Sequence, residues 1–182
     1  MKLTLPVREN LELRTLEPSD AGIFFELTRK NDTYLRQWLG WLDDDKSVAD
    51  TEKYIIDSNK RFANKEGLDF GIFYNNQHIG GIGLYPWDTA NKKTSIAYWV
   101  GEELQGKGIV TDTLKAVIDY AFTEMGLNRI EITCATGNTK SSAIPKKLGF
   151  IFEGIAREGE WLYDHFVDLE VYSLLAKEWH KA

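Results

Sequence analysis

The sequence predicts one α/β (α+β) domain, a mixed and mostly antiparallel sheet flanked by helices. Three observations predict it. Alternating strand-like runs joined by turn residues occur early and late in the chain. Between them, one strand-like run passes through glycines into a long amphipathic helix and on to another strand, the order of a β-α-β crossover. No repeat or low-complexity linker divides the 182 residues, a length that suits one core better than two, so 1–182 is read as a single domain.

Taken in order, 12–16 alternates like a strand. Pro18-Ser19-Asp20 then opens a helix with Ala21, Phe24, Phe25 and Thr28 along one side. A segment rich in aromatics and charge follows, holding Tyr34, Trp38, Trp41 and Asp43 to Asp45. Ser47 or Asp50 can cap the next helix, which runs to about Asn64. The runs 70–74 and 78–85 flank Asn75-Asn76, a hairpin turn. A strand over 93–100 leads to a helix over 110–125 whose Leu114, Val117, Ile118, Ala121 and Phe122 fall on one face. A strand at 129–134, a helix at 139–148 and two antiparallel strands near 150–157 and 165–174 complete the chain.

Composition narrows the function. Hydrophobic residues at 43% and aromatics at 13% mark a folded protein. A net charge of −6 argues against nucleic-acid binding, which needs a basic footprint, and fits a cationic partner such as an amine. No run has the length of a transmembrane helix, and the first six residues do not form a signal peptide, so a cytoplasmic protein with no membrane partner is expected. The single cysteine, Cys134, is expected to be a buried small hydrophobe in a reducing compartment. His78, His165 and His180 are far apart in sequence and form no metal-binding spacing with it; no metal is expected.

The most informative stretch is Gln105-Gly106-Lys107-Gly108-Ile109-Val110-Thr111. Glycines between a strand and a helix leave backbone N–H groups uncovered at the positive end of the helix dipole, a place suited to a phosphate or pyrophosphate. Read from Gly101, the segment is G-x-x-x-x-G-K, but Gly108 stands where a nucleoside-triphosphate loop needs the Ser or Thr that holds Mg²⁺. Read from Gly106, it lacks the third glycine of a dinucleotide fingerprint. A glycine-rich turn with no ligand remains the plain alternative.

Gln105-x-x-Gly108, after a strand and before an amphipathic helix, resembles the acetyl-CoA pyrophosphate loop of the GNAT superfamily of N-acetyltransferases, Gln/Arg-x-x-Gly-x-Gly/Ala; Val110 departs from the last position. Asn138-x-x-Ser141, followed by Leu148-Gly149-Phe150, resembles the second signature of that family, and Leu13 to Pro18 extends the likeness toward the start. On residues alone, Asn138 is a plausible N-cap and Gly149 a helix stop. Pro145 stands where many family members have a tyrosine acid, and Ser141 where alanine is common. This combination resembles the Rim-type subgroup, which acetylates the N-terminal amines of ribosomal proteins.

The resemblance implies the fold, acetyl-CoA as co-substrate, and a set of site residues. The backbone from Gln105 to Thr111 (Gly106, Lys107, Gly108, Ile109 and Val110 between them), with Asn138 and Ser141, would hold CoA. The main chain of Trp99 and Val100 would contact pantetheine and acetyl. Ser141 would anchor or protonate the leaving sulfur, or serve only its own helix. Glu160 would accept the amine's proton, with Trp161 to desolvate it and Gly159 to bend the chain between the last two strands; Glu158 is the competitor. Lys146 and Lys147 could reach the 3′-phosphate or form a solvated helix face. From residue type alone, Trp38, Trp41 and Asp43 to Asp45 could line an acceptor cleft for a cationic peptide or amine, or belong to a capped helix turn. The expected activity is acetyl transfer to the N-terminus of a ribosomal or other basic protein. The alternatives are acetylation of a polyamine, amino sugar or antibiotic, and a non-catalytic acyl-CoA sensor. A homodimer is also expected.

Overall fold

The computed structural model describes residues 2–179; His180 lies outside them. Eight strands form one sheet in the order β1 (Thr4–Arg8), β2 (Leu11–Arg14), β3 (Leu68–Tyr74), β4 (Gln77–Leu84), β5 (Lys93–Val100), β6 (Arg129–Ala135), β8 (His165–Leu175), β7 (Ile151–Leu162). Every neighbouring pair is antiparallel except β5 and β6, which are joined by the crossover helix α4 (Ile109–Thr123). The mostly antiparallel sheet and the central crossover match the sequence expectation.

Local chemistry sets the element ends. Ser47 caps α3 (Val48–Ala63) by accepting from the Asp50 N–H, so it is the serine that starts this helix. Asn75 and Asn76 turn the β3–β4 hairpin with φ of 50° and 61°, the left-handed pair such two-residue turns require. Helix α5 (Thr139–Lys147) stops at Gly149, φ 80°, where the N–H groups of Phe150 and Gly149 donate back to the carbonyls of Pro145 and Lys146.

The sheet's two faces have separate cores. Phe70, Ile72, Ile82, Leu84 and Ile96 point to one face and pack against Leu114, Val117, Ile118 and Ala121 of α4, all nearly or fully buried. Phe73 points to the other face, where it meets Phe24 of α1 (Ala21–Lys30) and Ile55 of α3. The two-residue strand period makes this division: Tyr98 and Trp99, adjacent in β5, join opposite clusters.

Several elements differ from expectation. Strand β1 escaped the sequence reading because Pro6 lies within it; it is an edge strand, where a missing N–H is tolerated. Short helix α2 (Asp32–Leu35) and a 3₁₀ turn over Gly40–Asp43 occupy the aromatic segment. Gly159 does not separate the last two strands: β7 runs on to Leu162, and the turn is at Tyr163 and Asp164. Gly159 instead belongs to a bulge between Ala156 and Glu160.

The feature that positions the site is a split in the sheet. Strands β5 and β6 pair only at Lys93, Thr94 and Ser95 with Arg129, Ile130 and Glu131. Beyond Ser95, β5 remains paired to β4 and β6 to β8, so the two halves part as a wedge. The β6-facing backbone of 96–100 has no strand partner there.

Candidate active site

The wedge lies between two helix N-termini. At the end of β5, a 3₁₀ turn over Glu102–Leu104 leads to Gly106 and Gly108, with φ of 72° and 75°. Both need the left-handed backbone that glycine adopts without strain. A β-carbon at either would meet nothing within 4 Å, so what excludes side chains is backbone conformation, and the space above is open. Gly108 is the N-cap of α4, and the first helical bond runs from the Asp112 N–H to the Gly108 carbonyl. The N–H groups of Ile109, Val110 and Thr111 precede that ladder and sit at the positive helix end. Val110, the departure from the family pattern, turns its side chain onto the main core and leaves these donors uncovered.

At the end of β6, α5 begins with Asn138, whose Oδ1 accepts from the Ser141 N–H at 3.1 Å, a cap worth about 1 kcal/mol. Capping is thus what the structure assigns to the Asn138 side chain. Ser141 Oγ lies 3.2 Å from the Tyr98 hydroxyl, to which it donates, and 3.3 Å from Cys134 Sγ. The Tyr98 hydroxyl in turn donates to the Ser141 carbonyl at 3.0 Å. Burial raises the pKa of both the Tyr98 phenol and the Cys134 thiol, so each stays protonated near neutral pH. Cys134 is buried and free, as expected.

A side-chain bond links the two N-termini. Lys140, in the first turn of α5, donates to Gln105 Oε1 at 2.9 Å, which fixes the amide's orientation; Gln105 Nε2 is buried without a partner. Lys140 therefore brings a cation beside the glycine loop, apart from Lys146 and Lys147, which were considered for the 3′-phosphate. Those two occupy the last turn of α5, where Lys146 pairs with Glu170 at 3.7 Å and lies over the Tyr172 ring.

The opposite face of the wedge is built by distant segments. Trp99 packs against Phe24 and Trp41, with ring centroids 5.6 and 6.2 Å apart. Trp38 reaches Gly137 in the β6–α5 loop, where an added β-carbon would lie 3.6 Å from its ring. The β7–β8 hairpin closes on the same segment: the Tyr163 hydroxyl donates to the Leu39 carbonyl at 2.5 Å, and Arg36 stacks over the Tyr163 ring. Two acids of this segment have partners within the fold. Asp45 is buried and accepts from Thr51 Oγ1 at 2.5 Å and Thr28 Oγ1 at 3.3 Å, and Asp43 pairs with Arg36 at 2.7 Å.

Glu160 sits opposite Val167, beyond the last β6–β8 pair at Ala135 and Leu169. The bulge before it is held by Asp168, whose Oδ1 accepts from the Glu158 N–H at 2.7 Å, with Glu158 at φ 49°. Glu158 is thereby part of the device that aims the strand. Glu160 keeps an exposed surface, yet the protein around its carboxyl removes enough water to raise its pKa above the usual carboxylate range. Its charge also contributes to the raised pKa of Tyr85, whose main causes are burial and Asp69. Trp161 is not the desolvating group: it follows Glu160 in the strand, is 53% exposed, and packs edge-on against Phe166 at 4.7 Å.

His78 is packed among Phe24, Phe73 and Trp99, and burial pushes its pKa down to about 4. His165 pairs with Asp164 at the hairpin tip. Among the described residues, no cluster of His, Cys, Asp and Glu has the arrangement of a metal site, and no helix is long and apolar enough to cross a membrane. Tyr98 and Lys140 escaped the sequence reading. A signal for Tyr98 existed: Pro145, four residues after Ser141, has no N–H for the Ser141 carbonyl, which must find a donor elsewhere.

Residues 10–151 match the acetyltransferase (GNAT) domain model. The chain belongs to the GNAT acetyltransferase family. It is an acyltransferase, and its fold is that of the family. It is 40% identical to "Putative ribosomal N-acetyltransferase YdaF" of Bacillus subtilis, over 97% of each chain. It is 31% identical to the ribosomal-protein-serine acetyltransferase of Escherichia coli, over 95% of this chain and 97% of that one. Among solved structures it resembles RimL, a ribosomal L7/L12 alpha-N-protein acetyltransferase, in complex with coenzyme A through a disulfide to a cysteine of that protein. That likeness has a TM-score of 0.92 and 26% identity over 95% of this chain and 98% of the other. The Rim-type resemblance carried by Ser141 and Pro145 agrees with these relatives.

Proposed function

We propose that this chain, acting as one domain over 1–182, transfers acetyl from acetyl-CoA to the N-terminal amine of a ribosomal or other basic protein in the cytoplasm. The observation that carries the reading is the wedge: unpaired β5 backbone bounded on one side by a glycine-rich helix N-terminus and on the other by capped Ser141. The pyrophosphate binds the N–H groups from Gly106 to Thr111, with Gln105, Lys107 and Lys140 beside it. The pantetheine arm runs along Trp99 and Val100 as an added strand would, and backbone N–H groups of β5 receive the oxyanion. Ser141 then lies at the sulfur. The CoA complex of RimL supports CoA as the ligand of this path.

The amine approaches from the other face, past Trp38, Trp41 and Trp99. Glu160 takes its proton, which the raised carboxyl pKa favours. The neutral amine attacks the thioester carbonyl, the C–S bond breaks, the Ser141 hydroxyl donates a hydrogen bond to the departing thiolate, and the second amine proton, lost as the amide forms, passes to that sulfur to give the CoA thiol. An α-amine, with a pKa of about 8, loses its proton far more readily than a lysine at about 10.4, and a single carboxylate with a raised pKa suits the former. The exposed Ile151, Phe152 and Ile155 on edge strand β7 support the homodimer.

The test is product mapping. Labelled acetyl-CoA is incubated with a basic peptide that has a free N-terminus and internal lysines, and separately with spermidine and an aminoglycoside. Mass spectrometry is expected to find label on the peptide's α-amine alone. Label on lysine side chains, or only on the small amines, rejects the N-terminal assignment.

A further inference from the structure

We propose that Tyr98 is the positioning residue for Ser141, its hydroxyl replacing the helical N–H that Pro145 deletes and setting where the serine hydroxyl points. The inference rests on the reading of Ser141 as the sulfur's hydrogen-bond donor. In a regular helix the N–H of residue 145 would donate to the carbonyl of residue 141. Proline has no N–H, so this carbonyl is left free in the first turn of α5. Tyr98 reaches across from β5 and donates its only O–H proton to that carbonyl at 3.0 Å. Its oxygen is then available only as an acceptor, and it receives the Ser141 Oγ–H at 3.2 Å.

Every polar atom of Ser141 thus has a fixed partner: the N–H on Asn138, the carbonyl on Tyr98, and the hydroxyl between Tyr98 and Cys134. A developing thiolate is a stronger acceptor than a neutral phenol oxygen. The serine proton can therefore turn from Tyr98 to the sulfur while Oγ stays in place. Tyr98 itself stays neutral, because burial disfavours the phenolate. It acts through Ser141 and does not touch the reacting atoms.

The test compares kcat, with chemistry limiting, and acetyl-CoA Kd in Tyr98→Phe, Ser141→Ala, Tyr98→Phe/Ser141→Ala and Tyr98→Phe/Pro145→Ala. Tyr98→Phe is expected to lower kcat about ten- to a hundredfold with acetyl-CoA Kd within about threefold of the parent, which also reports a folded protein. Adding it to Ser141→Ala should cost nothing further, since both act at one hydroxyl. Pro145→Ala restores an N–H to the Ser141 carbonyl but no acceptor for its Oγ–H, so it should recover part of the loss, at least about threefold in kcat. Full turnover in Tyr98→Phe beside an impaired Ser141→Ala, or additive losses in the double variant, overturns the proposal while leaving Ser141 in its role. Absence of rescue overturns the exchange of tyrosine hydroxyl for helical amide. A silent Ser141→Ala removes Ser141 from the reaction, and this role of Tyr98 with it.

Discussion

The two walls of the wedge are built differently. The wall proposed to hold the cofactor is backbone: two helix N-termini, left-handed glycines and a strand edge without a partner. The wall proposed to face the acceptor is side chains drawn from α1, the 36–43 segment, β5 and the β7–β8 hairpin. A backbone wall can serve any ligand with a pyrophosphate and an extended arm. A side-chain wall can be changed residue by residue without disturbing the sheet, so acceptor choice and cofactor choice can vary separately.

The comparison sharpens first at Glu160 and Gly108. Glu160→Gln keeps the shape and removes the charge; turnover is expected to fall by about two to four powers of ten with acetyl-CoA affinity unchanged in calorimetry. Gly108→Glu sets a strained, charged side chain against the pyrophosphate site, and acetyl-CoA affinity is expected to fall at least a hundredfold while ATP, with or without Mg²⁺, binds neither protein specifically. An acceptor-wall change that abolishes cofactor binding, or a loop change that spares it, would break the division.

Ser141 stands where the walls meet. Ser141→Ala is expected to lower kcat by about ten- to a thousandfold and to leave acetyl-CoA affinity nearly intact, measured where chemistry limits the rate. The smallest effect should come from Trp38→Ala, which opens the contact with Gly137. Its acceptor KM should rise about tenfold, the equivalent of about 1.4 kcal/mol, with kcat at saturation unchanged. A matching rise in acetyl-CoA KM would place Trp38 on the cofactor side.

The same contrast explains what could be read from the sequence. Glycine spacing and helix caps are local, so the loop at 105–111, the Asn138 cap and the Gly149 stop were legible without any tertiary information. So was the apolar face of α4, because its period is a property of the helix alone. The acceptor wall depends on which residues meet across long separations. Nothing near Asp45 in sequence says that Thr28 and Thr51 will bury it. Nothing near Gly159 says that Asp168 will hold a bulge there in place of a turn. Tyr98 was legible in principle, through Pro145 and the alternation that sets it opposite Trp99, but only once α5 was known to begin beside β5.

In the proposed reaction a carboxylate from the acceptor wall takes the proton of an α-amine held over the cofactor wall. The most direct measurement is kcat/KM against pH for a basic peptide with a free N-terminus, in the parent and in Glu160→Gln. Glu160's folded pKa is raised, so its basic form fills at a higher pH than an ordinary carboxylate. The parent's kcat/KM is expected to rise with pH through this ionisation, the step to be missing in the variant, and the variant's deficit to shrink at high pH, where the amine deprotonates unaided. The same profile in both proteins, displaced by a constant factor with the step retained, would contradict it.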